Sequence, residues 1–83
     1  MYYVYLIISK KNEIVRTYVG YTNNLNQRLK KHNSNKGAKS TKGRFWKIAY
    51  KKRKKYKITA LKYEYYLKNN KKLRKKIKDS YVW

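Results

Sequence analysis

The chain opens on an unbroken aromatic and aliphatic run, Tyr2-Tyr3-Val4-Tyr5-Leu6-Ile7-Ile8. A short run of this composition reads as a buried strand. Ser9-Lys10-Lys11-Asn12-Glu13 reads as a polar turn, and residues 14–21, Ile-Val-Arg-Thr-Tyr-Val-Gly-Tyr, as a second strand paired with the first in a hairpin. Thr22-Asn23-Asn24 supplies helix N-cap chemistry, so a short helix is expected from Leu25 to Asn33, with Leu25 and Leu29 on its apolar side. Residues 34–44 hold two of the three glycines and read as a loop with room for one helical turn. Residues 45–50, Phe-Trp-Lys-Ile-Ala-Tyr, read as a third strand, and Lys51 to Lys57 as a charged connector. Thr59 is the expected N-cap of a helix through Lys68. Asn69-Asn70 then breaks it before a second helical segment carrying Leu73 and Ile77. The expectation is therefore an α/β protein of the α+β kind: a small three-stranded antiparallel sheet flanked by helices, order β-β-α-β-α with an extra C-terminal helix.

Length and composition restrict this picture. Eighty-three residues make one domain, spanning 1–83, with an expected radius of gyration of about 12 Å. The core is small, and the absence of cysteine excludes both disulfides and thiolate zinc sites. The opening apolar run is too short to span a bilayer and lacks the basic start of a signal peptide, so a cytoplasmic protein is expected. Charge is extreme: Lys and Arg number 25 and the acids three, Glu13, Glu64 and Asp79, for a net charge of +22. Such a surface collects polyanions. Twenty of the cations are Lys, which an A/T-rich genome favours without selection for binding, yet the surface binds nucleic acid whatever its origin. A membrane surface is disfavoured as partner because the apolar helix faces are needed for the core.

Few residues remain that can carry chemistry. Ala60, Glu64 and Leu67 recur at helical spacing, which places a carboxylate on the apolar stripe. Such a carboxylate is either paired with a cation of the chain or binds a metal ion. Arg28 and His32, one helical turn apart, suit a phosphodiester. One binds its charge and the other can handle a proton, although an isolated pair of this kind is more often a solvated helix face. His32 is the only histidine, which rules out a multi-histidine metal site. Gly20 lies where a strand hands over to a helix and lets the backbone approach a ligand. Of the eleven tyrosines most are expected in the core or at its margin, with exposed ones able to stack on bases. Tyr5 and Tyr18 lie mid-strand on paired strands, and a phenol among so many cations should have its anionic form favoured.

Taken in order, Val4-Tyr5-Leu6, Tyr18-Val19-Gly20, the passage from Tyr21 to Leu29 with Arg28, Lys31-His32-Asn33, the Gly-Ala loop with Thr41, Phe45–Ile48, and Ala60…Glu64…Lys68 resemble the GIY-YIG nuclease superfamily, in particular its small stand-alone bacterial members related to the nuclease domain of excision-repair endonucleases. The resemblance runs from Tyr2 to Lys68. It departs from the family pattern at Val4 and Leu6, where Gly and Ile are usual, and at Tyr21, where some relatives are basic. A downstream asparagine of some relatives has Asn69 and Asn70 as its candidates. The resemblance implies a metal-dependent endonuclease acting on DNA in repair or processing of structured DNA. Tyr5 and Tyr18 become active-site phenols, Arg28 the phosphate-binding cation, His32 an auxiliary proton-transfer residue, and Glu64 the sole carboxylate for one Mg²⁺ or Mn²⁺. Gly20, Tyr21, Asn24, Lys31, Lys39, Lys42 and Arg44 are the expected nucleic-acid contacts. The general base stays open among Tyr5, Tyr18 and His32. The rival is a basic DNA- or RNA-binding module without turnover, which has no need of the full Tyr5, Tyr18, Arg28, Glu64 set. A protein partner that supplies substrate selection is compatible with either.

The charge alone generates one expectation. Mutual repulsion opposes the compact state, so the thermal midpoint rises from low to moderate salt and rises again in sulfate or phosphate. A midpoint flat across that series shows the charges to be screened already.

Overall fold

Two adjoining strands form a long hairpin in the computed structural model, which describes all 83 residues, Met1–Trp83. Strand β1 (Tyr2–Lys11) pairs antiparallel with β2 (Ile14–Thr22), with Tyr5 opposite Gly20 and Ile7 opposite Tyr18. The turn is only Asn12-Glu13, both with positive φ (52° and 67°), the backbone of a tight two-residue hairpin. Ser9, Lys10 and Lys11, expected in the turn, belong to the strand. Helix α1 (Leu25–Asn33) follows, its N-terminus capped by the Asn24 side chain, which accepts from the Gln27 amide at 3.1 Å. A 3-10 turn (Lys39–Thr41) interrupts the loop, and β3 (Lys47–Lys54) pairs antiparallel with the other side of β1. Helices α2 (Lys57–Lys68) and α3 (Lys71–Ser80) complete the α+β order β-β-α-β-α-α on a sheet ordered β2-β1-β3.

Two further boundaries differ from the sequence reading. The third strand starts later and runs through Lys51–Lys54, not a connector, because an edge strand tolerates charge where a central one does not. Phe45 is exposed and precedes the strand, while Trp46 turns into the core. Helix α2 begins two residues before Thr59, with Tyr56 at its N-cap. Thr59 sits inside the first turn and donates to the Tyr56 carbonyl at 2.9 Å. The break at Asn69-Asn70 is as expected: Asn70 caps α3 by accepting from the Leu73 amide, and Asn69 bonds back to the Tyr65 carbonyl.

Strand β1 is covered on both faces. Val4 and Leu6 pack with Val19 and with Ala60 and Leu67 of α2, and Leu73 and Ile77 of α3 close that layer. Tyr5 and Ile7 point the other way and pack with Trp46, Tyr18, Leu25 and Leu29. Each buried aliphatic side chain contributes about 1.5–3 kcal/mol on transfer from water, which makes this strand the main source of cohesion in so small a core. The radius of gyration is 12.3 Å. No helix is long and apolar enough to cross a membrane.

Candidate active site

The hairpin register sets Tyr5 between Gly20 and Tyr18, and a side chain at Gly20 has nowhere to go. A Cβ there would come within 2.7 Å of Tyr5 Cζ and closer still to the hydroxyl. The phenol therefore occupies the space that glycine leaves. It is buried, and its ring packs against Tyr18 and His32 with centroids 6.5 and 5.8 Å away. Tyr18 and His32 are 5.1 Å apart.

A buried hydroxyl must be hydrogen-bonded, and α1 supplies both partners one turn apart. Arg28 Nε donates to the Tyr5 oxygen at 3.3 Å, and the Tyr5 hydroxyl lies 2.8 Å from His32 Nε2. The other ring nitrogen, Nδ1, lies 2.9 Å from Thr41 Oγ1, which donates its single proton to the Ala38 carbonyl at 2.8 Å. That commitment assigns the tautomer. Thr41 can only accept from the imidazole, so Nδ1 carries the hydrogen and Nε2 is the acceptor. The chain runs in one direction: Arg28 Nε–H to Tyr5, Tyr5 O–H to His32, His32 Nδ1–H to Thr41, Thr41 O–H to Ala38. Gly37 lies over the imidazole so closely that a Cβ would strike the ring. Asn33 clamps the loop's far end, accepting from the Trp46 amide at 2.6 Å and donating to its carbonyl at 3.1 Å. The solvated-face reading thus fails for His32, which is fully buried.

Burial, and then the Arg28 charge, lower the His32 pKa to about 4, so the imidazole is neutral at pH 7, as the hydrogen-bond chain requires. For Tyr5 the expectation of a favoured phenolate is corrected. Burial raises its pKa and outweighs the hydrogen bond and charge of Arg28, while Tyr18 and Glu64 push the same way as burial. Loss of solvation wins because the phenol lies inside the core and only one cation touches it.

Glu64 comes from α2, on the sheet face opposite Tyr5, yet its carboxylate is near enough to act on the Tyr5 phenol. Its side chain is 15% exposed and its one ionic partner is Lys68 Nζ at 3.7 Å. A cleft of about 400 Å³ opens at the β2 edge, lined in part by Tyr2, Tyr21, Arg28, Lys31 and Lys57. Arg28 Nε is held by Tyr5, and the Tyr18 hydroxyl lies close enough to interact with the same guanidinium. Among the expected nucleic-acid contacts, Gly20, Tyr21 and Lys31 lie at or beside this cleft, and Asn24 caps the adjoining helix. Lys39 and Lys42 are exposed on either side of the buried Thr41. Arg44 lies apart, its guanidinium donating to Ser9 and to the Ile14 carbonyl at the hairpin end. Sequence reasoning missed the parts of Thr41 and Gly37, because an irregular loop carries no periodicity that would bring them to His32.

No group of three or more His, Cys, Asp or Glu side chains comes together. The donor set therefore does not suit a closed zinc site, but one carboxylate suits a hard divalent ion that keeps its waters and takes substrate oxygens as ligands.

Fold and site together have the form of a small nuclease domain. Residues 1–78 match the family model of the GIY-YIG catalytic domain, and the chain belongs to the GIY-YIG family. A UPF0213 protein of Bacillus licheniformis is 39% identical over 82 residues, covering 98% of this chain and 78% of that protein. A UPF0213 protein of Oceanobacillus iheyensis is 40% identical over 68 residues, 81% of this chain and 76% of that one. The solution NMR structure of a UPF0213 protein from Bacillus halodurans shares 32% identity over 92% of this chain and 80% of that one, with a TM-score of 0.49. The family is one of nucleases, acting on nucleic acid and generally dependent on divalent metal.

The neutral, buried His32 makes stability pH-dependent. Its folded pKa lies below the unfolded value of 6.5, so the unfolded chain takes up the proton first as pH falls. Stability is full above pH 6.5 and declines toward pH 4, by up to about 3 kcal/mol from this group. Because His32 is the only histidine, its ring proton resonances read the titration directly. A midpoint near 6.5 in the folded protein would show that the imidazole is not held in this way.

Proposed function

We propose that the chain is a metal-dependent endonuclease hydrolysing phosphodiester bonds in DNA, in repair or processing of structured DNA, with residues 1–83 acting as one domain. The observation that carries this reading is the state of Arg28. Its Nε is pinned to Tyr5, the Tyr18 phenol flanks the same guanidinium, and the side chain lines the cleft with no carboxylate of the chain paired to it. A guanidinium fixed in that way is pre-oriented for the non-bridging oxygens of a phosphodiester and stabilises the charge that grows on them in the transition state.

The other residues divide the remaining work. Tyr18 is half-buried beside Tyr5 and next to the Arg28 guanidinium, and as general base it would take the attacking water's proton while the new P–O bond forms. Tyr5 and His32 are positioning residues: the acceptor Nε2 draws the Tyr5 proton away from Arg28 and leaves an oxygen lone pair for the guanidinium. Glu64 would hold Mg²⁺ or Mn²⁺ together with substrate oxygens and water. A divalent ion there supplies positive charge for the leaving oxygen. A binding module without turnover is the second reading, and one observation favours it: Lys68 already partners the one carboxylate at the site. That ion pair is loose and Lys68 itself is half-exposed, which keeps it displaceable.

Incubation with branched, flapped and linear DNA in Mn²⁺ tests turnover directly, and cleavage of none of them sinks the nuclease reading. Arg28→Ala is expected to lower the cleavage rate by roughly 100- to 1000-fold while weakening binding only a few-fold, because many other cations hold the backbone. Equal losses in both would remove Arg28 from the chemistry.

Metal binding follows from the lone carboxylate and the +22 charge. Calorimetry should find Mn²⁺ binding to free protein only in about the millimolar range, and more tightly when an uncleavable DNA adds phosphate ligands. Tight, DNA-independent binding that survives Glu64→Gln would place the metal elsewhere.

A further inference from the structure

The β2 edge carries a second basic cleft. Its lining is Thr17 of β2 with Lys71, Arg74, Lys75, Lys78 and Asp79 of α3, around a volume of about 310 Å³. Its one acid is neutralised, since Asp79 is held by Lys75 at 2.8 Å. Lys71, Arg74 and Lys78 have no acidic partner. Arg74 is the telling residue: it is half-buried, its guanidinium meets no acceptor of the chain, and its Nε is buried with no partner at all. Buried donors are rarely left so unless something else satisfies the group they belong to.

The position of this cleft matters as much as its charge. Thr17 shares its strand with Tyr21 and Thr22, which line the Arg28 cleft. β2 is an edge strand, and it contributes to both clefts, the first with α1 and the second with α3. Thr17 and Thr22 are separated by roughly 17 Å of strand, and duplex DNA presents a phosphate about every 3.4 Å of rise on each strand. That span is about five base-pair steps of duplex rise, well within the length that one bound duplex covers.

We propose that the cleft between β2 and α3 is a second phosphodiester-binding subsite, so that one DNA duplex runs along the β2 edge and is held at Arg74 as well as at Arg28. This places the duplex flanking the scissile phosphate in the recognised substrate. It rests on the DNA-cleaving reading for the role of the first cleft, but its test reads binding alone.

Binding of a 20-base-pair duplex is measured across a salt series with no divalent ion. Arg74→Met is expected to weaken binding by roughly tenfold and to reduce the log–log salt slope by about 1, and Lys71→Gln with Lys78→Gln to reduce it by about 2. Lys72→Gln with Lys76→Gln, on the same helix but outside the cleft, should leave the slope unchanged. The lysine pair is exposed, so its result holds even if Arg74→Met proves unstable. An unchanged slope in the cleft variants, or an equal loss in the control pair, overturns the proposal. Energy transfer between two differently labelled duplexes tells whether one DNA or two are held: none is expected, and a signal abolished by Arg74→Met would show that the cleft takes a second duplex instead. Absence of cleavage in Mn²⁺ removes the nuclease reading and leaves this result standing. An unchanged slope here removes the subsite and leaves Arg28 untouched.

Discussion

A strand enclosed on both faces can send no side chain to solvent, and β1 is such a strand from Val4 to Ser9. Its residues facing α2 and α3 are aliphatic and need only volume. On the other face Tyr5 brings a hydroxyl into the same enclosure, and an unpaired hydroxyl there costs about 1–3 kcal/mol. Its partners must come from the layer that covers it, which is α1. The spacing of Arg28 and His32 by one turn lets both reach the same oxygen from one helix face. Gly20 opposite must lack a side chain, and the loop beyond α1 must turn back over the imidazole through Gly37 and Thr41. The arrangement that suits phosphate chemistry is thus also what the packing of one polar residue in the core demands.

Direction is what the buried imidazole adds. A hydroxyl can turn its hydrogen either way, and with an acceptor on one side only, Tyr5 has a single arrangement left. The acceptor is secured two bonds further on by the Ala38 carbonyl, which takes the Thr41 proton and so makes Thr41 an acceptor for Nδ1. A backbone carbonyl in a short 3-10 turn therefore determines how an arginine on another element is held. Protonating the ring would set two donors against Tyr5, with Arg28 on one side and Nε2–H on the other, and strand the phenolic hydrogen. Burial and the Arg28 charge oppose that protonation together.

Much of this was legible in the chain. The apolar run of β1, the cap chemistry at Asn24 and the break at Asn70 are local signals and fell where expected. The inward placement of Glu64 followed from helical spacing and is matched by its low exposure. Hydropathy misread Lys51–Lys54 because an exposed edge strand and a charged connector have the same composition; only the pairing partner on β1 separates them. The sign of the Tyr5 shift was misjudged for a related reason. Net charge describes the surface, whereas the phenol responds to its own burial. Residue type alone gave no sign that Arg44 also ties the loop to the hairpin through its hydrogen bonds. Side-chain partners across an irregular loop have no period, and so Thr41 stood out only as part of the family pattern, with nothing to tie it to His32.

The three acids make the charge problem sharper than the total suggests. Each is paired with a lysine three or four residues away, Lys10 with Glu13, Lys68 with Glu64 and Lys75 with Asp79. These local pairs leave no acid to bridge distant parts of the chain, so the cations of α1, β3 and α3 have no long-range counter-charge within the protein. A bound polyanion provides it, and whatever binds the folded chain in preference to the unfolded one stabilises it by an amount that grows with the logarithm of its concentration once that exceeds its Kd. Of the three, Glu13 and Asp79 are well exposed and Glu64 is not. The one carboxylate held partly out of water is thus the one whose field reaches Tyr5. In a chain that otherwise repels cations, Glu64 is thus the carboxylate that would serve the proposed divalent ion, with substrate phosphates as the further source of negative charge.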